Sequence, residues 1–290
     1  MCSPAPDAAP QTPPGPYPRG FVYGRGEADP GAWSLAGLKL ARALEALREV
    51  NGRVLELGCG GGQYLRALRR RRPELEIHGI DLSPEAVREA GGIAGVTCCA
   101  ADAADLPFDA GSFAAVIGFD ILEHVADPAR VLSEASRVLA PGGILHLYVP
   151  CEGNPGTIYQ RRGHQLKARW GGHCQQFTAA GLLELLARAQ WTVVRVRYSD
   201  YWLTQRLDYA FFRRLEASPN PERWWRAQAL AAGGGLSGLA LRGARRVLSA
   251  ATWLENILRR GPAGAMGLHV TAQNNAAPGA GFPNAPGRPK

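Results

Sequence analysis

Apolar positions along this chain recur with two alternating periods. From Trp33 to Val50, the residues Leu35, Leu38, Ala41, Leu44 and Leu47 keep helical spacing, and Asn51-Gly52 ends the run. Short apolar runs and helical patterns then take turns. RVLELG (53–58) reads as a strand and QYLRALRRRR (63–72) as a helix ended by Pro73. LEIHGID (75–81) is a strand, and SPEAVREA (83–90) a helix with Ser83 as N-cap and Pro84 in its first turn. GVTCCAAD (95–102) and SFAAVIGFD (112–120) are strands, PARVLSEASRVL (128–139) is a helix stopped by APGG, and ILHLYVP (144–150) is the next strand. Such a βαβα rhythm of apolar strands predicts a parallel sheet with helices on both faces.

The rhythm changes after Pro150. Residues 151–176 read as a long irregular loop, the kind of segment that carries function in compact domains. Thr178 then caps the helix AAGLLELLARA, and WTVVRVRYS (191–199) is a strand. Residues 203–260 read as basic and helical, anchored by Trp224, Trp225, Leu236, Leu239 and Trp253. MGLHVTAQ (266–273) closes the pattern as a final strand. The Pro- and Ala-rich ends, 1–18 and 275–290, are expected to be disordered arms around a domain spanning 19–274.

Composition narrows the class. The N-terminal arm lacks the basic and apolar regions of a secretory signal. The longest apolar stretch, Ala229 to Leu241, is too short to span a bilayer. Six cysteines without a C-x-x-C pair suggest neither a zinc site nor a disulfide framework; no metal site is expected, and a reduced, cytoplasmic setting is. The net charge of +8 is uneven: residues 161–290 hold 19 of the 33 basic side chains and 6 of the 25 acidic ones. That asymmetry fits an anionic acceptor or peripheral contact with a membrane, and equally a compositional bias, since Arg outnumbers Lys 30 to 3. Nucleic acid is a poor fit, because no RNA-binding module is recognisable.

The chemistry concentrates at strand ends. Glu56 opens an E-x-G-x-G-x-G run with glycines at 58, 60 and 62, where a backbone could approach a ligand closely ahead of a helix N-terminus. The dinucleotide fingerprint would need glycine at position 63, which is Gln63. Asp81, ending the second strand, suits a pair of ribose hydroxyls, or else is an ordinary acid at a helix start. Asp102, after the third strand, suits an exocyclic amine, or else is one of several solvated loop acids.

Taken together, VLELGCGGGQYL, GIDLSPEAVREA and the segment from ADAADLPF through EHVADPARVLSEASRVLAPGGILHLYVP resemble the class I S-adenosylmethionine-dependent methyltransferases, in the style of the ubiquinone/menaquinone-biosynthesis type and its natural-product relatives. The resemblance spans roughly residues 52–200. It implies a Rossmann-like α/β fold with a seven-stranded, mostly parallel sheet in the order 3-2-1-4-5-7-6, the last strand antiparallel, and 203–260 as a helical insertion before it. It implies S-adenosyl-L-methionine as cofactor. The backbone from Gly58 through Cys59 to Gly60, with Glu56, would hold the methionine part, Asp81 the ribose, and Leu82, Asp102 and Ala103 the adenine. A carbonyl of Phe119 would take the methionine amine, and Tyr23 is the candidate to close over the cofactor.

Methyl transfer to a hydroxyl needs alignment and loss of a proton, for which histidine is suited. Glu123 and His124, just past the fourth strand, and His173 in the long loop are the catalytic candidates, with His164 beside them; each histidine could instead be structural. The fourth-strand slot is GFDI, without the prolines of the enzymes that methylate base or amide nitrogens. That disfavours base amino groups and leaves oxygen and carbon open; the expected activity is O-methylation of a hydroxyl on a small molecule, sugar or lipid-like intermediate. The alternatives are a non-catalytic cofactor-binding module on the same fold, and, less favoured, an NAD-dependent oxidoreductase.

Overall fold

The computed structural model of the chain describes residues 22–30, 34–221 and 236–274; both terminal arms, Trp33, Trp224 and Trp225 lie outside the described residues. Five strands arise from the short apolar runs: β1 (Arg53–Leu57), β2 (Glu76–Asp81), β3 (Val96–Ala100), β4 (Phe113–Phe119) and β5 (Leu139–Pro150). β6 (Trp191–Ser199) and β7 (Gly267–Asn274) complete a seven-stranded sheet in the order β3-β2-β1-β4-β5-β7-β6. Strands β1 to β5 pair in parallel, and β7 runs antiparallel to both β5 and β6. This is the order and direction that the resemblance implied.

Helices cover both faces. On one, α1 (Leu35–Ala46), α2 (Gln63–Arg71) and α3 (Pro84–Gly91) pack Leu40, Ala43, Leu65, Leu68 and Ala90 onto Val54, Ile77 and Ile117. On the other, α4 (Pro128–Val138) and α6 (Ala179–Arg188) pack Val131, Leu132, Ala135, Leu182 and Leu186 onto Leu55, Val116, Leu145 and Leu268. Central β1 and β4 are therefore apolar on both sides, whereas edge strand β6 alternates and presents Arg195 and Arg197 to Glu45 of α1. The two caps read from sequence form, Ser83 and Thr178 accepting from the amides of Ala86 and Gly181, and Ser34 caps α1 in the same way by accepting from Gly37.

Two expectations need correction. APGG does not stand between α4 and β5. The strand begins at Leu139, paired with Phe113, and the register slips before Ala115–Ile144, so Gly142 at φ +74° turns within an irregular part of the strand. Nor is 151–176 irregular throughout. It holds a π-helical turn, Tyr159–Gly163, running into α5 (His164–Gly171). Eight residues with few apolar positions make too weak a pattern to read alone. The helix is held by packing, since Leu166 and Trp170 form a separate small cluster with Phe212 and Leu215 of α7 (Trp202–Glu216).

α7 and α8 (Leu236–Leu258) lie between β6 and β7. The Glu255 carboxylate accepts from the Leu203 amide at 3.0–3.1 Å, satisfying a donor at the start of α7. Asn256 accepts from the Asp200 amide at 2.6 Å, and Gln205 donates to the carbonyls of Asp200 and Gly264. Polar groups thus dock these helices to the strand ends. Within the sheet, His146 of β5 is 2% exposed, bonds Thr271 at 3.0 Å, and has its pKa lowered to about 3 by burial first and by Arg195 and Arg42 next.

His146 is neutral in the fold and protonates near pH 6.5 once unfolded, so its stabilisation is present above that pH and lost as pH falls towards its folded value. Relative to His146→Gln, the wild-type chain should lose about 1.4 kcal/mol per pH unit below roughly pH 6.5. Urea unfolding of both proteins at pH 7, 6 and 5 measures the difference; parallel profiles would mean that the imidazole is solvated.

Candidate active site

The sheet reverses its winding between β1 and β4, and the crevice at their carboxyl ends is where open α/β sheets take ligands. The loop leaving β1 is built on alternate glycines, with Gly58, Gly60 and Gly62 at φ +65°, +51° and +83°. This left-handed backbone, costly for other residues, gives the E-x-G-x-G-x-G spacing its meaning. A Cβ on Gly60 would stand 2.6 Å from the Tyr23 carbonyl oxygen, because residues 22–30 lie across the loop. The Gly61 amide donates to that carbonyl at 2.7 Å, the Ala28 amide to Gln63 O at 3.0 Å, and Arg66 to Gly26 O at 3.0 Å.

Asp81 ties this loop to the next. Its carboxylate accepts from the Gly60 amide at 2.8 Å and from the Ser83 amide at 2.9 Å. Each oxygen keeps a lone pair for a further donor. Beside it a small cavity of about 30 Å³ is lined by Tyr23, Glu56, Gly58, Gly60, Phe119 and Asp120. Glu56 is 2% exposed, and its Oε2 has no hydrogen-bond partner. Burial first, then Cys98 and Asp81, push its carboxyl well above the usual range. A buried carboxyl with an open acceptor, facing a cavity, is suited to an ammonium group.

The Phe119 and Tyr64 rings meet at a tilt with centroids 4.1 Å apart, and the chain then turns through Asp120 at φ +51°, a left-handed non-glycine residue. Asp120 bonds the Lys39 ammonium at 2.5 Å, which lies 3.7 Å from the centre of the Tyr148 ring. The Tyr148 hydroxyl donates to Asp200. Along the sheet edge, Leu82 is exposed, Ala103 is buried, and Asp102 accepts from the Ala104 amide at 2.8 Å.

A second cluster lies past Asp120. The 3-10 turn Leu122–His124 carries Glu123, 1% exposed, with neither carboxylate oxygen partnered outside its own residue. Burial first, and the Asp120 carboxylate next, push that carboxyl well above the usual range. The amides of Cys174 and Gln175 donate to the Glu123 carbonyl at 2.8 and 3.1 Å, which brings His173 beside the turn. The His124 and His173 rings meet edge to face at 4.9 Å, and His124 Nδ1 lies 3.1 Å from the Gly172 carbonyl. Behind them Glu152, fully buried, sits 2.8 Å from His173 Nδ1 and 3.1 Å from His164 Nδ1. Burial pushes the Glu152 carboxyl up, and its histidine and lysine neighbours more than offset that, holding it below the usual range.

The candidates read from sequence thus gather in two groups around one crevice: Tyr23, Glu56, Gly58, Cys59, Gly60, Asp81 and Phe119 at the glycine loop, and Glu123, His124 and His173 beyond β4. His164 is one step back, on Glu152. Sequence reasoning missed Asp120, Glu152 and Lys39. Asp120 and Glu152 do carry a signal, since each directly follows or nearly follows a parallel strand.

Residues 55–147 match the family described as Methyltransferase domain. The chain is 33% identical over 129 residues to malonyl-[acyl-carrier protein] O-methyltransferase of Halorhodospira halophila, covering 43% of each. It is 36% identical over 124 residues to demethylmenaquinone methyltransferase of Thermus thermophilus, covering 40% of this chain and 56% of that one. To ubiquinone biosynthesis O-methyltransferase of Xanthomonas axonopodis pv. citri it is 34% identical over 121 residues, covering 39% and 49%. The chain therefore spans about half the length of these curated relatives. Among solved structures, the [4+2]-cyclase SpnF superposes with a TM-score of 0.56 at 23% identity, covering 90% of this chain and 89% of that one. Geranyl diphosphate methyltransferase superposes at 0.55 and 17%, covering 83% and 79%. The resemblance to the class I S-adenosylmethionine-dependent methyltransferases is borne out in domain and fold.

Gly60→Ala should be strongly unfavourable, since it combines left-handed backbone with a collision against a carbonyl; about 2 kcal/mol or more is expected. Gly91→Ala, in α3 with no atom within 4 Å of its added Cβ, should be neutral or gain up to about 1 kcal/mol. Paired thermal melts decide it. Equal effects would show that residues 22–30 do not lie on the loop.

Proposed function

We propose that this chain transfers the methyl group of S-adenosylmethionine to a hydroxyl of a small-molecule acceptor. When bound, the cofactor supplies a sulfonium methyl that the acceptor oxygen displaces in line, the C–S bond breaking as the C–O bond forms and the hydroxyl proton leaving. The observation that carries the reading is one crevice with a buried carboxyl holding an unpartnered oxygen on either side of the β1–β4 reversal: Glu56 at the glycine loop and Glu123 past β4.

Each residue has a part in this reading. Glu56, Gly58, Cys59 and Gly60 line the small cavity with Phe119, which suits the amino-acid end of the cofactor. Asp81 is held by two amides with its remaining lone pairs open, a rigid acceptor for ribose hydroxyls. Leu82, Asp102 and Ala103 continue along the strand ends, where an adenine would lie. Tyr23, fixed through its carbonyl to Gly61, borders the cavity from above. Glu123, His124 and His173 then face the acceptor, whose reacting oxygen must stand where the methyl points.

Oxygen is favoured as acceptor on two grounds. Two of the relatives described above are named O-methyltransferases. The slot at residues 118–121, GFDI, lacks the prolines of the nitrogen-methylating tetrapeptide, and its Asp120 is committed to Lys39. The oxidoreductase alternative is disfavoured by Gln63, whose side chain packs beside Gly24 where the dinucleotide fingerprint needs glycine. A lipid-like or anionic acceptor, and contact with a membrane surface, stay part of the proposal as compositional arguments; among the described residues no helix is long and apolar enough to cross a membrane.

Calorimetric titration tests the cofactor first. S-adenosylhomocysteine should bind and NADH should not, and Asp81→Asn, which keeps the shape, should weaken binding about 10- to 100-fold, since each charge-assisted hydrogen bond lost is worth roughly 1.5–3 kcal/mol. NADH binding, or an unchanged affinity in Asp81→Asn, would sink the reading. Turnover on hydroxylated acceptors then separates an enzyme from a module that only binds.

A further inference from the structure

We propose that Glu123, His124 and His173 form a three-ligand site for a divalent transition-metal ion of the zinc class. One ligand atom from each of the three lies within 4.8 Å of the others. Ligand atoms on one tetrahedral ion stand about 3.3 Å apart, a contraction that rotation of the half-exposed His124 can supply.

Three independent features support this. First, Glu123 is buried without a partner for either oxygen, which costs several kcal/mol unless the group is neutral or meets a cation. The nearest cationic candidate on its own element, His124 Nε2, is 3.9 Å away. Second, the histidines are braced as ligands are. His124 Nδ1 faces the Gly172 carbonyl at 3.1 Å, an arrangement that puts the proton on Nδ1 and leaves Nε2 with a lone pair towards Glu123. His173 Nδ1 lies 2.8 Å from the buried Glu152 carboxylate without hydrogen-bond alignment, a distance at which a turn of the ring forms the carboxylate–histidine pairing that orients metal-bound imidazoles. Third, two imidazoles and one carboxylate with a half-open side is a donor set that zinc, iron and their neighbours accept, whereas magnesium and calcium prefer oxygen alone.

The site's role deepens the reading above and rests on it. An ion held there has an open position towards the acceptor, and a hydroxyl coordinated to it loses its proton to solvent more readily before methyl transfer. No side chain then needs to act as base. Glu152 is a positioning residue, acting through His173.

The test uses the full chain, stripped with a chelator, dialysed and titrated with Zn²⁺ by calorimetry and with Co²⁺ by visible absorption. One equivalent should bind, and Co²⁺ should develop d–d bands. Glu123→Gln, His124→Ala and His173→Ala should each weaken binding by about 10- to 100-fold or more, and Glu152→Gln by a similar factor, while His78→Gln, on β2, should bind like wild type. Glu123→Gln is isosteric and His124 is half-exposed, so these two test the site if His173→Ala fails to fold. Absence of saturable binding, or binding that survives in Glu123→Gln and His124→Ala, overturns the proposal. S-adenosylhomocysteine titrated into the same preparations separates the two readings. Cofactor binding without metal uptake removes the metal site alone, and metal uptake without cofactor binding removes only its role in methyl transfer.

Discussion

The reversal of winding at β1 and β4 is the constraint on which the rest depends. Crossovers between parallel strands are right-handed, so strands added outward from β1 towards β3 place their helices on one face, and strands added from β4 towards β5 on the other. The loops that leave β1 and β4 therefore part, and the crevice between them cannot be filled by either helix. Everything with chemical potential is hung on that gap. The glycine loop borders it on one side, Asp120 and the Leu122–His124 turn on the other, and residues 22–30 cross its rim.

Rigidity at the gap comes from polar groups that are tied rather than from apolar packing. Asp81 fastens two loops with one carboxylate, and the Glu123 carbonyl takes two amides of the segment carrying His173. Lys39 reaches from α1 to Asp120 across the Tyr148 ring, while the Tyr148 hydroxyl is bound to Asp200. Both Asp120 and Asp200 are left-handed non-glycine residues, and both have an amide or carboxylate bond that specifies the turn. Such strain persists only where neighbours over-determine it, and here it redirects the chain at the ends of β4 and β6. The glycine loop achieves the same change of direction without strain.

How much of this could be read from sequence follows from which signals are local. Strand and helix order was legible because period and caps are local, as at Ser83, Thr178 and the β6 run. Glu56, the glycines and Asp81 were legible because a strand end fixes their place. Asp120 carries the same strand-end signal and was overlooked, since nothing in FDI marks its left-handed turn or a lysine arriving from α1. The Glu152–His173 pairing was hidden for a different reason: the intervening stretch has no period, and α5 within it is made by contact with α7. The early start of β5 at Leu139 was not legible, because a glycine turn inside a strand carries the same residues as one that ends a helix.

Charge shows most plainly that overall composition and the local site are separate matters. The chain carries +8 overall and its last part is strongly basic, which suggested attraction of an anion. The crevice itself is acidic, lined or backed by Glu56, Asp81, Asp120, Glu123 and Glu152. Its two nearby ammonium groups are already paired, Lys39 with Asp120 and Lys167 with Asp208 at 2.7 Å. Burial would lower the Lys167 ammonium, and Asp208 and Glu152 more than offset it. Among the described basic residues late in the chain, Arg195 and Arg197 sit by Glu45 on the sheet edge, and Arg213 is paired with Glu216. Inside a low-dielectric crevice it is these near charges that decide, because distant exposed ones are screened over about 8–10 Å. Under the proposed reading, the groups that suit this crevice are therefore cationic or metal-bound at the point of contact: an ammonium at Glu56, a sulfonium between the two carboxyls, and an acceptor oxygen whose charge would be met by an ion rather than by an arginine.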